Sequence, residues 1–311
     1  MAYLLPKPLK YNSTIGLICP AGGFDDYKPI RLVVKYLKKK GFNVKLGKSL
    51  FSSGNAYKYL SGSDSKRLLD LHNFCNDKTV DAIFALRGGY GSLRLLKDID
   101  FNLIRKSKKI ILGFSDITVL LLAIYSKCRL ITFHGPLLGI KFINKDLEPL
   151  HRKSDNNLWK VLHDPKFKFS YSNKSEGLVI YPGKASGKLL GGNLTDICSM
   201  IGSGFLPDFK DSILFLEDCY EEPYKIDRLL TQIHNAGIFS KVNGVIFSSF
   251  YKCGFKNDKE VKCLLKDRMA SYKIPVVYNF PVGHDLGNYT LPIGMPCVLD
   301  ANAIALYNYL I

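Results

Sequence analysis

Three polar residues in this sequence are of the types that together perform acyl transfer. Ser115 and Glu217 each directly follow an apolar, strand-like run, and His284 lies in a loop shortly after another. A serine becomes a nucleophile when a histidine takes its proton and an acid orients that histidine. The order Ser, Glu, His along the chain is one that hydrolases already use. These residue types in this order indicate a serine hydrolase.

Each of the three residues also has a simpler interpretation. Ser115 stands where a strand gives way to a helix, and serine is a favoured helix N-cap. Glu217 begins the acidic segment Glu217–Glu222, whose carboxylates could simply be solvated, and a loop histidine such as His284 commonly bonds to backbone. The turn after Gly113 nevertheless matches a nucleophile elbow, where free amide N–H groups of the next helix can hold an oxyanion. The full GxSxG form is not met, because residue 117 is Ile.

The sequence lacks the motifs that indicate other kinds of site. There is no GxxxxGK[ST] motif, no GxGxxG after the first apolar run, no HExxH and no Cys/His cluster with metal-ligand spacing, so we expect no metal and no cofactor. The eight cysteines include no CxxC pair, and the start of the sequence does not resemble a signal peptide. No apolar run reaches the roughly 18 residues that cross a bilayer. We therefore expect a cytoplasmic protein with reduced cysteines and no membrane association.

The charge is the unusual feature of the composition. The 311 residues carry a formal net charge of +17, and residues 1–110 hold 21 of the 44 basic but only 8 of the 27 acidic residues. Thirty-five of the basic residues are Lys and nine are Arg, whereas nucleic-acid sites favour the planar fork of Arg. A solvated, lysine-rich surface is thus favoured over a nucleic-acid partner. A basic nucleotide- or nucleic-acid-binding protein with an incidental Ser115 is the least favoured alternative.

Strand-like and helix-like segments alternate, which predicts an α/β fold. Its first part is a parallel-sheet domain carrying the nucleophile elbow, and its second is a smaller β-rich C-terminal domain. The predicted divisions are 1–140 for the nucleophile domain, 141–176 for a polar linker, and 177–311 for the C-terminal domain. Ligands of parallel sheets bind beyond the carboxyl ends of the strands. The glycine-rich loops 20–23 and 87–91 and the turn at Ser115 should meet at that edge.

The sequence resembles the LD-carboxypeptidase family, the muramoyltetrapeptide carboxypeptidases of peptidoglycan recycling, over nearly its whole length. The blocks that carry this resemblance are Ile18–Gly22, Ala85–Gly91, Gly113–Asp116, Phe133–Pro136, Gly191–Leu194, Leu216–Asp218, Pro223–Arg228 and Gly283–His284. The resemblance implies a serine carboxypeptidase that removes the terminal D-Ala from murein tetrapeptide. It also implies a catalytic triad of Ser115, Glu217 and His284, with the last two on the C-terminal domain, and a homodimer.

Further residues receive roles from the same resemblance. The implied oxyanion hole is formed by the backbone amides of Asp116 and Gly89, or of Gly88 in place of Gly89. Arg87, Gly88, Tyr90 and Asn193 are the predicted substrate-binding residues. From its chemistry, Arg87 could pair with Glu217 or Asp116, or could bind a substrate carboxylate. Asn193 also suits the N-cap of a predicted helix.

The resemblance leaves a second function open. Some relatives in this family use the same triad to confer immunity to peptide-nucleotide antibiotics, with an aromatic side chain stacked on the base. The single tryptophan, Trp159, lies in the predicted linker and is the residue that could serve this purpose.

Overall fold

The computed structural model describes residues 3–51, 57–138, 149–285 and 287–308, and the chain divides into two units. The first unit comprises Met1–Phe167 together with Tyr289–Pro292. The second comprises Lys168–Asn288 together with Ile293–Ile311. The predicted domain limits differ from these units chiefly in the segment between residues 140 and 177.

The first unit is built on a parallel sheet of short apolar strands. In chain order these are β1 (Thr14–Ile18), β2 (Asn43–Leu46), β3 (Ala82–Ala85), β4 (Ile110–Gly113) and β5 (Thr132–His134). They lie side by side in the order β2, β1, β3, β4, β5, and each neighbouring pair is parallel. Every residue of β3 and β4 is buried, as expected of a parallel sheet covered on both faces.

Helices alternate with these strands. They are α1 (Lys28–Lys39), α2 (Asp64–Asn76), α3 (Phe101–Ser107), α4 (Thr118–Cys128) and α5 (Pro149–His163). Helix α1 buries the stripe Ile30, Val33 and Leu37, apolar residues that recur at helical spacing. Residues Ser92–Asp98 form a 3₁₀ helix.

Helix α5 corrects the prediction of a linker over residues 141–176, whose first eight residues lie outside the described part of the chain. Trp159 on this helix is 7% exposed, and its ring lies 4.9 Å from that of Phe42. Its indole N–H donates to Asp155 at 2.7 Å. The segment is misjudged because its average composition is polar, while one face of the helix is apolar and packs into the first unit.

The second unit contains an eight-stranded mixed sheet among the described residues. Its strands are β6 (Ser170–Ser172), β7 (Leu178–Tyr181), β8 (Lys184–Asn193), β9 (Ser212–Cys219), β10 (Val242–Tyr251) and β11 (Val276–Phe280), followed after β12 by β13 (Pro296–Asp300) and β14 (Ala305–Tyr307). Strands β8, β9, β10 and β11 are parallel, and the outer strands pair antiparallel. Strand β12 (Leu291–Ile293) instead lies beside β5 in the first sheet.

Three helices accompany the second sheet in the described residues: α6 (Leu194–Met200), α7 (Pro223–Asn235) and α8 (Asp258–Met269). Helix α8 escapes prediction because it is rich in charge and buries only Val261, Leu265 and Met269. The two sheets confirm the predicted fold, a parallel-sheet α/β part followed by a smaller, β-rich part. No helix in the described ranges is both long and apolar enough to cross a bilayer.

Candidate active site

Ser115 lies on a strained turn between β4 and α4. Its φ is +62°, a left-handed conformation that few residues other than glycine adopt without cost. A Cβ at Gly113 would overlap the side chain of Ile117, so only glycine permits this turn. Ser115 opens a 3₁₀ turn, and the N-cap positions of this turn and of α4 are Phe114 and Ile117. The turn therefore has elbow geometry, and the interpretation of Ser115 as a helix N-cap is wrong.

The glycine-rich loop 87–91 passes directly against this serine. A Cβ at Gly88 would lie 2.7 Å from Ser115 Cβ and 2.9 Å from its Oγ. The Gly88 carbonyl accepts a hydrogen bond from the Gly22 amide at 2.9 Å, which joins the two predicted glycine loops. Gly89 has a φ of +101°. Bare backbone is thus held beside the hydroxyl, which is how an oxyanion hole is built.

The side chain of Asp116 fixes the far end of the same loop. Its carboxylate accepts hydrogen bonds from the backbone amides of Gly91 at 3.2 Å and Ser92 at 2.9 Å. Asp116 is 3% exposed, and burial raises its pKa although these hydrogen bonds and the charge of Arg67 act in the opposite direction. The sequence suggests a backbone role for Asp116 and a possible pairing of its carboxylate with Arg87, whereas in the structure the carboxylate binds the amides of Gly91 and Ser92.

Arg67 is a residue of this site that sequence reasoning misses. Its guanidinium is fully buried and donates to the carbonyls of Pro20 and Gly91, the latter at 3.1 Å, so it joins both glycine loops. It also pairs with Asp64, and burial lowers its pKa. The sequence feature that could have identified Arg67 is its position among the apolar residues of α2, three residues before another buried charged residue, Asp70. A charged side chain on the buried face of a helix indicates that it has a specific ion-pair or hydrogen-bond partner.

Two predicted substrate-binding residues of the loop are exposed. Arg87 donates to the Gly23 carbonyl, and its guanidinium carbon lies 5.8 Å from the centre of the Phe24 ring. Asp116, one of its possible partners, is instead held by backbone amides. Tyr90 is 47% exposed. Both residues therefore carry polar groups that solvent can reach beside the serine turn.

Glu217 and His284 are brought together in the second unit. Glu217 lies within β9, not just after it as predicted, and its side chain is fully buried. Its Oε2 is 2.6 Å from Nδ1 of His284, whose side chain is 19% exposed. Gly283 has a φ of +139°, and a Cβ there would lie 3.1 Å from Glu217 Cβ, so a glycine lets the loop approach the strand. The simpler interpretation of Glu217 as a solvated acid is wrong, and His284 is bonded to that carboxylate.

The electrostatics of this pair suit a general base. Burial lowers the pKa of His284, but the charge and hydrogen bond of Glu217 and the charge of Asp218 raise it and prevail, so the pKa lies above its ordinary value. When Nδ1 carries a proton donated to Glu217, Nε2 is the basic nitrogen. A carboxylate that orients a histidine in this way is what the predicted triad requires of Glu217 and His284.

Asn193 occupies a structural position next to this pair. Its side-chain oxygen accepts from the Asp196 amide and caps α6, and its amide group donates to Asp218 at 3.1 Å. Burial and the nearby charge of Glu217 raise the pKa of Asp218 to about 6, against its hydrogen bonds from Thr195, Cys219 and Asn193. The predicted cap is confirmed, and the role of Asn193 in binding substrate stays a prediction. Among the described residues, no group of three or more His, Cys, Asp or Glu side chains could hold a metal ion.

Family models match both parts of the chain. A model described as the LD-carboxypeptidase N-terminal domain matches residues 15–135, and one described as the LD-carboxypeptidase C-terminal domain matches residues 186–299. The probable murein peptide carboxypeptidase of Bacillus subtilis (strain 168) is 37% identical over 95% of this chain and 91% of its own. The microcin C7 self-immunity protein MccF of Escherichia coli is 27% identical over 96% and 93%.

Solved structures give the same two kinds of relative. MccF in complex with glutamyl sulfamoyl guanosine superposes with a TM-score of 0.88 at 26% identity, covering 98% of each chain. The muramoyltetrapeptide carboxypeptidase from Oxalobacter formigenes superposes with a TM-score of 0.81 at 27% identity, covering 95% of this chain and 97% of that one. The likeness extends over the whole length of both.

Proposed function

Because this chain belongs to the LD-carboxypeptidase family, we propose that it removes the terminal D-alanine from murein tetrapeptide, L-Ala-γ-D-Glu-meso-Dap-D-Ala. The observation that carries the proposal is the 2.6 Å contact between Glu217 and the Nδ1 atom of His284 in a buried setting. The murein peptide carboxypeptidase relative at 37% identity supports this choice of substrate. Recycling of peptidoglycan, a cytoplasmic location and a homodimer stay predictions.

The proposed mechanism is acyl transfer through Ser115. His284 takes the hydroxyl proton, and Ser115 Oγ attacks the carbonyl carbon between meso-Dap and D-Ala. The backbone amides of Asp116 and Gly89 stabilise the resulting oxyanion. His284 then gives its proton to the amine of the departing D-Ala, which leaves an ester on Ser115. Water, activated by His284, releases the tripeptide and restores the serine.

Glu217 and Arg87 have separate parts in this proposal. Glu217 holds the His284 ring in the productive tautomer and stabilises its charged form during each proton transfer. Arg87 binds a substrate carboxylate, since a guanidinium fork matches that group and the Gly23 carbonyl holds one arm of this guanidinium. Gly88, Tyr90 and Asn193 complete the proposed substrate-binding set.

The test is mass spectrometry of murein tetrapeptide incubated with the protein. We expect free D-Ala and the tripeptide to appear in equal amounts. Ser115→Ala should lower the rate by about 10⁴-fold or more, because the nucleophile is lost while the fold is kept. Tetrapeptide left intact by the wild-type protein would contradict the proposed substrate, and an active Ser115→Ala variant would contradict the proposed nucleophile.

The second candidate function is hydrolysis of a peptide-nucleotide antibiotic with the same residues. The likeness to MccF bound to glutamyl sulfamoyl guanosine favours it. Trp159, the aromatic residue considered for stacking on the base, does not support it, because its ring is buried in the first unit. Expression of the gene in a bacterium sensitive to such an antibiotic would test this function, and unchanged sensitivity would reject it.

A further inference from the structure

Three tyrosines of the first unit form an exposed aromatic surface, which we name the tyrosine wall: Tyr57, Tyr59 and Tyr90. Their exposed fractions are 51%, 54% and 47%. The ring centres of Tyr57 and Tyr59 are 5.6 Å apart, and those of Tyr59 and Tyr90 are 5.9 Å apart. Aromatic rings that touch one another usually do so in a core, and a contiguous exposed apolar patch commonly marks a binding surface.

The tyrosine wall is supported by a network of ion pairs. The guanidinium of Arg94 lies 5.9 Å from the centre of the Tyr57 ring. Arg94 Nε donates to both carboxylate oxygens of Asp64, at 3.0 and 2.9 Å. Asp64 also pairs with the buried Arg67, and its hydrogen bonds from Arg94 hold its pKa below the ordinary value. The wall therefore rests on the same ion network that fixes the glycine loops, so little ordering is required when a ligand binds.

The wall borders the proposed oxyanion loop. Tyr90 directly follows Gly89 and is two residues from Gly88, which touches Ser115. The carbonyl of Tyr59 lies 3.4 Å from the Cβ position of Gly22, whose amide binds the Gly88 carbonyl. Two residues span at most about 7 Å of chain. A substrate attacked by Ser115 can therefore reach the wall with another of its groups.

We propose that the tyrosine wall binds the sugar ring of a glycan-bearing murein peptide. This inference rests on the proposed function and names the residues that would contact the sugar part of that substrate. A pyranose ring has an apolar C–H face for the tyrosine rings and a rim of hydroxyls for their phenol groups. The tripeptide part, with its γ-linked glutamate and the lactyl group that joins it to the sugar, separates this sugar from the scissile bond by roughly 15 Å when extended. A wall that begins two residues beyond Gly88 lies within that reach.

The shape of the wall favours a sugar over a nucleobase. The planes of Tyr57 and Tyr59 are inclined by 34°, and those of Tyr59 and Tyr90 by 60°. A flat base is best held against parallel rings, whereas a faceted surface can follow a puckered ring. Arg94 is already paired with Asp64, but the exposed Lys58 supplies a positive charge beside the wall, which suits a murein peptide with its carboxylates.

The experiment compares kcat/KM for free tetrapeptide and for disaccharide-tetrapeptide. Wild type should prefer the disaccharide form, and Tyr59→Ala should lower that preference about tenfold, mainly through KM, because the lost ring would contact the sugar and not the reacting atoms. Tyr59→Phe should retain most of the preference. The matched control is Tyr11→Ala, an exposed tyrosine ahead of β1, which should leave the preference unchanged.

Other outcomes would overturn the inference. An equal loss on both substrates would give Tyr59 a role in supporting the loop only, and an unchanged ratio would remove the wall from substrate binding. A loss confined to an aminoacyl sulfamoyl nucleoside would assign the wall to a nucleobase. If wild type cleaves neither murein substrate, the proposed function itself fails. Calorimetric binding of the disaccharide alone to wild type and Tyr59→Ala then still tests the wall.

Discussion

The two units hold their functional residues by different physical means. In the first unit, Ser115 is positioned by main-chain geometry: a positive φ, and glycines at positions 88 and 113 that leave room for close contacts. In the second unit, Glu217 and His284 are positioned by charge and hydrogen bonding in a buried setting. The first arrangement should fail when atoms are added, and the second when a charge is removed. This difference is open to experiment.

The largest effect is expected from removing the charge of Glu217. Glu217→Gln keeps the size of the side chain but no longer stabilises the charged form of His284, so kcat should fall by about 10³- to 10⁴-fold. The measurement is release of D-Ala together with thermal unfolding, which should show a folded protein. Glu222→Gln is the matched control, because Glu222 is exposed and its side chain makes no capping hydrogen bond. A kcat within tenfold of wild type would remove Glu217 from the triad.

The next largest effect is expected from adding one methyl group in the first unit. The Cβ of Gly88→Ala would sit 2.7 Å from Ser115 Cβ, so either the loop or the serine must shift. Because misplacement by about 1 Å can cost 10²-fold, we expect a loss of about that size in kcat. Gly62→Ala in the same unit is the control, since the nearest atom would lie 3.4 Å from its new Cβ. Equal activity of the two variants would show that Gly88 is not part of the reacting geometry.

Much of the fold and of the serine turn could be predicted from the sequence, because both depend on patterns among neighbouring residues. Alternating apolar runs and helix-like stripes specify the first sheet, and Gly113 before Ser115 specifies the turn. The family and enzyme class predicted from the motif blocks are confirmed by the matching family models and relatives. The triad itself stays a prediction, of which the structure describes the Glu217–His284 contact and the serine turn within their separate units.

The features of the site that could not be predicted depend on contacts between residues that are distant in sequence. Arg67 reaches the carbonyl of Pro20, 47 positions away, and no local pattern reports such a bond. The carboxylate of Asp116 binds amides 24 and 25 positions earlier. Trp159 is misjudged for the opposite reason, because the polar average of its segment conceals a buried face. A charged residue within the apolar stripe of a predicted helix, such as Arg67, indicates a buried ion with specific partners.

The charge in the second unit also predicts a dependence on pH. The pKa of His284 is raised, so kcat/KM should fall as the pH drops through this raised pKa, because His284 of the unliganded enzyme then becomes protonated. Its contribution to stability has the opposite dependence, being complete below the pKa of the unfolded state and lost as the pH rises through the folded pKa.

The control for this pH dependence is the same Glu217→Gln variant. Without the carboxylate, burial should dominate and bring the pKa of His284 below its ordinary value. Nuclear magnetic resonance of the His284 ring protons reports this midpoint even when turnover is slow. A midpoint that does not move between wild type and Glu217→Gln would show that the pair is not coupled.

The smallest expected effect concerns the net charge of +17, which the proposed chemistry does not require. Most of the excess lies in residues 1–110, within the first unit, and murein tetrapeptide carries several carboxylates. If this field steers the substrate, kcat/KM should fall about threefold between 20 and 300 mM salt while kcat stays constant, since only the encounter is screened. Lys58→Gln should flatten this profile slightly more than Lys259→Gln, an exposed control on α8.

A profile that is flat with salt would reject steering and leave the lysines as a solvated surface. A fall in kcat itself would also reject it, because screening would then act on a step after binding. The salt dependence of kcat/KM therefore distinguishes the role of charge in the first unit from its role in the second. Charge in the first unit would act on arrival of the substrate, whereas the buried charge of Glu217 acts on the reaction and is little affected by salt.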